Sequence, residues 1–405
     1  MTRSSHVDAA AVIDLTRRLV RLPSVNAPLL RRSEEPAARL VAETMRQLGL
    51  DVDLDEVSPG RPNVVGTADG GLPGPTLLFE GHTDVVTEGD PSCWSFDPFV
   101  GDVVDGRLRG RGSADMKGGV AAMLHACASL VAARPFPGRI VVAALVDEEG
   151  MMSGVKHFVA SGRAGGIDAA IVCEPEGGEV CIAQKGALRL RVEAEGRMAH
   201  GAMPDRGRNP IPALVELLAG LGEEERSLQA AHGRHPLLGD PYLTPTFFRA
   251  GEASQANVIP SSASCALDVR TVPALDHGEL VRRIEALAGD IGARHDVTLR
   301  VAVVDDRPAT EIGPDALVVE ALVRAHEEVT GERPPFGGVP GTTDGTILWR
   351  DGRIPVVVYG PGGKWIAHQA DEYVDVAELA QAAEVYRRAA ERYLWEGAGL
   401  DVPPA

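Results

Sequence analysis

Seven side chains in five short segments of the 405-residue sequence carry the groups that a hydrolytic metal centre needs. They are His82, Asp84, Asp115, Glu148, Glu149, Glu174 and His368. Imidazole and carboxylate, without any thiolate, form a ligand set that suits zinc, cobalt or manganese at catalytic sites. The set therefore predicts a hydrolase that works with metal ions.

Buried strands are expected to carry most of these groups to one place. Four apolar stretches are predicted to be strands of a sheet that is covered on both faces. They span residues 76–80, 140–146, 169–173 and 354–359. His82 follows the first stretch, Glu148 and Glu149 follow the second, Glu174 follows the third, and His368 lies in the loop after the fourth. Because ligands collect beyond the carboxyl ends of strands in open α/β sheets, these side chains are expected to meet at one edge.

Two metal ions require an even division of the ligands and one carboxylate that both ions share. Asp115, in a glycine-rich turn before a predicted helix, is the natural bridge. His82 and Glu174 can hold one ion, and Glu149 and His368 can hold the other. Ions bridged in this way lie about 3.5–4 Å apart and share a water whose pKa falls towards about 7.

Glu148 stands beside a ligand, but its predicted role is that of a general base, which takes the water's proton and returns it to the leaving amine. Asp84 follows His82 closely and is predicted to accept the second imidazole N–H and fix that ring. Each of these residues, taken alone, is more often a surface group at a strand end. Repeated placement of charged groups at the ends of buried strands favours a shared use.

The composition argues against several other classes of function. The formal net charge of −18 disfavours nucleic acid, whose phosphate backbone attracts cations. The apolar run at 140–146 is far shorter than the ~20 residues of a membrane span, and no signal peptide is visible. The five cysteines are odd in number and include no Cys-x-x-Cys pair, which favours a reducing cytoplasm over a disulfide framework.

Residues 186–299 differ in character from the rest of the chain. Their strands alternate apolar and charged residues, and two amphipathic helices are predicted among them. We therefore predict an inserted small α+β domain over 186–299 and a metal-binding catalytic domain over 1–185 and 300–405. The predicted fold class is α/β, with a mixed sheet in the catalytic domain and helices on both of its faces.

Three helices have recognisable start signals. Asn209, followed by a proline, and Asp276 are expected to begin the two helices of the inserted domain. Asp375 and Glu378 are predicted to form a capping box at the start of the last helix.

The segments at 81–85, 110–119 and 147–150 resemble those of the co-catalytic zinc peptidases and deacylases. This family includes aminoacylase, acetylornithine deacetylase, succinyl-diaminopimelate desuccinylase and carboxypeptidase G. The resemblance covers nearly the whole chain and implies the metal roles given above. It also implies a cis peptide bond after Asp115, and a two-domain fold whose inserted domain serves as a lid and as the surface of a homodimer.

Further positions match segments that bind substrate in this family. The resemblance implies that His200 reaches the active site of the partner subunit and stabilises the oxyanion of the tetrahedral intermediate. It implies that Asn257 and Arg270 bind the substrate's carboxylate, for which a planar guanidinium is well shaped. Gly341 and Thr342 match a loop that closes over the substrate's backbone.

Two details of the sequence bear on the substrate. The desuccinylase usually has an Arg-rich stretch at the lid entrance, where this chain has Gln184 and Lys185, so its second carboxylate-reading site is not matched. Glu174, in place of an Asp, favours the deacylases and aminoacylases over carboxypeptidase G.

The predicted function is hydrolysis of the amide bond of an N-acyl amino acid by two divalent ions, with zinc favoured over cobalt or manganese. A dipeptidase or carboxypeptidase would use the same site and differ only in the groups on either side of the scissile bond. A non-catalytic metal-dependent binding protein is the alternative from another class, which the presence of Glu148 disfavours. The expected partners are an N-acyl amino acid or a short peptide and a second copy of the chain, and not nucleic acid or a membrane.

Overall fold

The structure is a computed structural model that describes residues 6–27 and 33–403. Within them the chain forms nine α-helices and eighteen β-strands. The helices are α1 (Ala9–Val20), α2 (Glu35–Gln47), α3 (Gly118–Ala132), α4 (Ser153–Ala160), α5 (Pro210–His232), α6 (His277–His295), α7 (Leu317–Thr330), α8 (Gly345–Arg350) and α9 (Val376–Gly397). The strands are β1 (Asp51–Ser58), β2 (Arg61–Asp69), β3 (Gly71–His82), β4 (Asp102–Val104), β5 (Arg107–Arg109), β6 (Phe136–Leu145), β7 (Ala169–Val172), β8 (Val180–Gln184), β9 (Gly186–Glu195), β10 (Ala199–His200), β11 (Tyr242–Ala250), β12 (Val258–Ile259), β13 (Ser262–Thr271), β14 (Thr298–Arg307), β15 (Thr310–Glu311), β16 (Phe336–Val339), β17 (Val356–Val358) and β18 (Tyr373–Asp375). Among these described helices, none is both long and apolar enough to cross a membrane.

The chain forms two compact units. The first comprises Met1–Ile182, Ile312–Gly338 and Thr343–Ala405, and the second comprises Ala183–Glu311 and Val339–Thr342. The second unit is thus longer than the insertion predicted over 186–299. The predicted boundary between residues 299 and 300 is wrong, because it would divide β14, which pairs with β9 along its length.

The first unit contains a mixed sheet. Its strands run in the order β1-β2-β6-β3-β7-β17, with β8 beside β17. β3 pairs in parallel with β6 and β7, and β17 pairs in parallel with β7, whereas β1–β2 and β2–β6 are antiparallel. Helices α1, α3, α7 and α9 form one packed group, and α4 and α8 form another. The predicted α/β class is confirmed.

Three adjacent parallel strands of this sheet end at one edge. β3 ends at His82, β6 at Leu145 and β7 at Val172. The register places His82 opposite Leu145 and Glu80 opposite Val172, so the three ends are nearly level. The segments that follow these strands are therefore neighbours in space, as the sequence pattern predicted.

The second unit is built on an antiparallel sheet in the order β11-β13-β9-β14. Alternate side chains of β9 are buried in one core with apolar residues of α5 and α6, while the charged residues between them point to the other face. The buried ones are Leu188, Leu190, Val192 and Ala194. This one-sided sheet with two helices is the predicted α+β arrangement.

All three predicted helix starts are confirmed, because Asn209, Asp276 and Asp375 are the N-cap residues of α5, α6 and α9. The side chains of Asn209 and Asp276 accept capping hydrogen bonds from backbone N–H groups in the first turns of α5 and α6. The hydrogen bonds of the predicted capping box are not formed at the start of α9. Asp375 accepts no side-chain capping bond, and Glu378 instead accepts the N–H of Gly362 at 2.9 Å, in the loop before His368.

Candidate metal centre

Asp115 lies between two histidines. Its Oδ1 is 3.1 Å from Nε2 of His82, and its Oδ2 is 3.2 Å from Nε2 of His368. Oε1 of Glu174 is 3.5 Å from the His82 nitrogen, and Oε1 of Glu149 is 2.9 Å from the His368 nitrogen. The five predicted ligands thus meet as two groups that share Asp115: the His82 group (His82, Asp115, Glu174) and the His368 group (Asp115, Glu149, His368).

The donor atoms of both groups fit divalent cations. Within each group the ligand atoms lie within 4.8 Å of one another. The side chains of Asp115, Glu149 and Glu174 are only 12%, 8% and 8% exposed, so three carboxylates are gathered with little access to water. Such a cluster is costly unless cations compensate it. Its composition and spacing suit two ions with Asp115 as the shared ligand.

The pKa values reflect this surplus of negative charge. Burial, followed by the charge of Asp115, raises the pKa of Glu174 to about 8. Burial also raises the pKa of Glu148 well above its ordinary value, with the charges of Glu174 and Glu149 adding to the effect. Hydrogen bonds with Asp115 and then Glu149 raise the pKa of His368 to about 10. Bound cations would lower the carboxyl pKa values, because an opposite charge favours the ionised form.

The segment that carries Asp115, Ser113–Lys117, is a kinked turn in which Asp115 and Met116 have non-helical backbone angles, with φ of −114° and −133°. The peptide bond between Asp115 and Met116 is cis, which confirms what the family resemblance implied. Gly112, just before the turn, has a φ of 83°, and a Cβ there would lie 2.5 Å from Cγ1 of Val85. Both constraints require glycine at this position.

Asp84 accepts the second imidazole N–H of His82 with its backbone. Nδ1 of His82 is 2.9 Å from the backbone carbonyl oxygen of Asp84 but 3.6 Å from its carboxylate. Asp84 therefore accepts the imidazole N–H through its backbone carbonyl, because its carboxylate faces the next strand end and accepts the N–H groups of Glu148 and Glu149, each at 3.2 Å. With Nδ1 donating to the carbonyl, Nε2 of His82 keeps its lone pair for a metal ion.

The sequence matches one protein family over most of its length. The profile of peptidase family M20/M25/M40 matches residues 78–392. The chain belongs to this family. It is 35% identical to a succinyl-diaminopimelate desuccinylase of Methylorubrum extorquens over 401 residues, which cover 94% of this chain and 98% of that protein. The predicted family and the predicted enzyme class, a hydrolase of linear amides, are confirmed.

Solved structures of M20 proteins share the fold. A metallo-carboxypeptidase from Sulfolobus solfataricus superposes with a TM-score of 0.77 at 20% identity, over 94% of this chain and 99% of that one. A dinuclear metal-binding peptidase from Bacillus subtilis superposes with a TM-score of 0.70 at 16% identity, over 94% and 97% of the two chains. At these identities the similarity establishes the fold of this M20 protein.

In the second unit of this M20 protein, His200 and Asn257 lie together. β10 pairs with β12 so that His200 is opposite Val258, and the N–H of Gly201 donates to the carbonyl of Asn257 at 2.7 Å. His200 is exposed, and its Nδ1 accepts the N–H of Ala202 at 3.1 Å. An acceptor at Nδ1 puts the proton of the neutral ring on Nε2, which can then donate to a substrate.

Asn257 precedes the start of β13, whereas Arg270 lies near the end of that strand. Nε and Nη2 of Arg270 donate hydrogen bonds to Oδ2 of Asp268 at 3.2 and 3.0 Å. At about 3.3 Å per residue, the length of β13 separates the two residues by roughly 25 Å. One chain therefore does not bring Asn257 and Arg270 to the same carboxylate.

Gly341 and Thr342 are in the short segment of the chain that joins the second unit. Oγ1 of Thr342 accepts a hydrogen bond from Nη1 of Arg307 at 3.4 Å. β9 lies between β13 and β14, and its residue Ala187 is opposite both Arg270 and Arg307. Thr342 and the two arginines therefore belong to the same end of this sheet.

Four residues that hold the ligands in place were not predicted. They are Asn26, Arg111, Lys364 and Glu372. The amide nitrogen of Asn26, for example, donates to the carboxylates of Asp84 at 2.7 Å and Asp147 at 3.0 Å, and so joins two strand ends. Sequence proximity to a ligand is the signal for three of them, since Arg111 lies just before Asp115 in the segment 110–119, and Lys364 and Glu372 flank His368.

Proposed function

We propose that this protein removes the acyl group from an N-acyl amino acid at a site that holds two divalent ions. The observation that carries the proposal is the position of Asp115, whose two carboxylate oxygens lie 3.1 and 3.2 Å from the imidazoles of His82 and His368. A carboxylate that faces two ligand groups suits a pair of ions better than one. Zinc is the favoured metal for imidazole and carboxylate ligands, with cobalt and manganese as alternatives.

Glu148 is the proposed acid and base of the reaction. When bound, the two ions supply a Lewis acid for the scissile carbonyl and make water more acidic. Glu148 takes a proton from the attacking water on a carboxylate oxygen and passes it to the nitrogen of the leaving amine. Asp84 supports this role because its carboxylate holds the backbone N–H of Glu148 at 3.2 Å and that of Glu149 at 3.2 Å.

Substrate recognition is proposed for the second unit and for a homodimer. His200 donates from Nε2 to the oxyanion of the reacting carbonyl, and Arg270 holds the free carboxylate of the amino acid. Gly341 and Thr342 line the backbone of the substrate. The separation of Asn257 from Arg270 along β13 favours a dimer in which His200 and Asn257 act on the substrate bound to the other chain.

The proposed acyl group is a short dicarboxylic one such as succinyl. Support comes from the relative at 35% identity, which is named a succinyl-diaminopimelate desuccinylase. Lys185 lies in the stretch where desuccinylases usually have arginines, so a cation is retained there. Its Nζ donates a hydrogen bond to the carbonyl oxygen of Asp240 at 2.8 Å and lies 4.7 Å from the ring centre of Tyr242. We also propose a cytoplasmic location, because five cysteines without a Cys-x-x-Cys pair suit a reducing compartment.

A panel of substrates tests this assignment. The panel contains N-succinyl, N-acetyl and N-formyl amino acids together with dipeptides, and release of free amine is measured with zinc-loaded protein. We expect kcat/KM to be highest for an N-succinyl amino acid and to fall by about 10²-fold or more for an acyl group without the second carboxylate, because Lys185 then loses the anion that it is proposed to bind.

A dipeptidase or carboxypeptidase is the second candidate, which the structural similarity to a metallo-carboxypeptidase favours. Turnover of dipeptides with no turnover of any acyl amino acid would replace the deacylase proposal by this one. Binding of two ions without turnover on the whole panel would instead favour a binding protein.

A further inference from the structure

His368 is the least protected of the five predicted ligands. Its side chain is 54% exposed, whereas those of the other four are between 1% and 12% exposed. It lies in the loop between β17 and β18, with a left-handed backbone φ of 66°. A loop residue keeps one position only where contacts offset its conformational entropy, so the position of His368 depends on what anchors the loop on either side.

Glu372 anchors the end of this loop to the turn that carries Asp115. Its side chain is fully buried, and its Oε1 accepts the backbone N–H groups of Ala114 at 3.0 Å and Asp115 at 3.2 Å. Its Oε2 accepts a hydrogen bond from Nη1 of Arg111 at 2.5 Å. A buried carboxylate with two backbone donors and a guanidinium partner is compensated in charge and fixed in position.

The main chain makes the same connection. The carbonyl oxygen of Glu372 accepts the N–H of Gly110 at 2.9 Å. β18, which begins at the next residue, pairs antiparallel with β5, the strand just before the Asp115 turn. The segment after His368 is therefore joined to the segment before Asp115 by both backbone and side chain.

Lys364 anchors the start of the same loop to a different ligand segment. Its Nζ is 2.8 Å from Oε2 of Glu176 and 2.9 Å from Oε2 of Glu179. Glu176 is 3% exposed and follows Glu174 by two residues. The pair of Lys364 and Glu176 thus anchors the start of the loop to the Glu174 segment. The pair of Glu372 and Arg111 anchors its end to the Asp115 turn.

We propose that Glu372 and Lys364 are positioning residues for the ion of the His368 group. Glu372 fixes the spacing of Asp115 and His368. Both residues belong to the His368 group, whereas the His82 group contains only Asp115. Loss of Glu372 therefore weakens the ion of the His368 group more than the other ion. Since this role rests on the two-ion site of the proposed function, the test counts ions as well as measuring affinity.

Zinc titration of chelator-stripped protein tests the positioning role without an activity assay. Glu372→Gln keeps the size of the side chain but removes the charge that pairs with Arg111. We expect calorimetry to find two zinc ions on the wild-type chain. One of them, the ion of the His368 group, is expected to bind about 10–100-fold less tightly to the variant, the loss typical when a residue that orients a metal ligand is replaced. Lys364→Met is expected to weaken the same ion.

Arg387→Met is the matched control. Arg387 is buried in α9 and pairs there with Glu384 at 2.5 Å and Glu391 at 3.2 Å, so its loss is expected to lower thermal stability and leave both zinc affinities unchanged. Wild-type affinity for both ions in the Glu372→Gln and Lys364→Met proteins would overturn the positioning role. If Glu372→Gln does not fold, Lys364→Met decides alone. A wild-type chain that binds fewer than two ions would instead refute the two-ion site itself.

Discussion

Replacing Glu148 by glutamine is expected to lower kcat by roughly 10²–10⁴-fold while both metal ions stay bound. The amide has the size of the carboxyl group but cannot accept the proton of the attacking water. Glu148 is a suitable base because it is only 8% exposed and its backbone is fixed by Asp84 at 3.2 Å. Turnover is measured on the best substrate of the panel, and metal content is measured on the same sample.

Glu149→Gln is the control for this prediction, because the two acidic neighbours have different proposed roles. Oε1 of Glu149 lies 2.9 Å from Nε2 of His368, so this variant is expected to lose affinity for one ion as well as activity. Near-normal turnover in Glu148→Gln would remove Glu148 from the mechanism. Equal loss of metal from both variants would make Glu148 a ligand instead of a base.

Replacing His200 by alanine is expected to lower kcat by about 10²–10³-fold, the usual effect of removing one oxyanion donor. The ring is suited to donation because its Nδ1 accepts the N–H of Ala202 at 3.1 Å, which leaves the proton on Nε2. Metal content and thermal stability are expected to stay unchanged, since His200 is exposed and lies in the second unit. His232→Ala, at another exposed histidine of that unit, is the matched control and should be fully active.

Mixing two inactive variants tests whether His200 acts across a dimer. A dimer of one Glu148→Gln chain and one His200→Ala chain regains one complete site if His200 serves the other chain. It has no complete site if His200 serves its own chain. Recovery of activity on mixing would therefore support the dimeric site, and no recovery in a verified mixed dimer would contradict it.

The position of the metal centre could be predicted because it depends on a strong local pattern. The buried stretches that become β3, β6 and β7 are apolar, and polar groups follow each of them directly. Parallel strands that lie side by side bring such groups to one edge. Asp115 was recognisable for a related reason, since the glycines around it mark a turn that other residues cannot form.

The contacts that orient the ligands could not be predicted from a single sequence. Glu372 and Arg111 form a buried pair whose members are more than 250 positions apart, and charged residues of this kind look like surface residues until the fold is known. The side chain of Glu378 fits a capping box by its spacing, but the N–H of Gly362 competes for it. The boundary near residue 299 was misplaced because β14 alternates apolar and polar residues only in part.

Zinc-dependent release of free amine decides whether this protein is a two-ion deacylase. The protein is stripped with a chelator, zinc is added in steps, and hydrolysis of an N-succinyl amino acid is followed together with the number of ions bound per chain. We expect no turnover without metal and a rise to full turnover as two ions are bound, in keeping with the shared position of Asp115. Undiminished turnover by the metal-free protein, or full loading with two ions and no hydrolysis of any acyl amino acid, would contradict it.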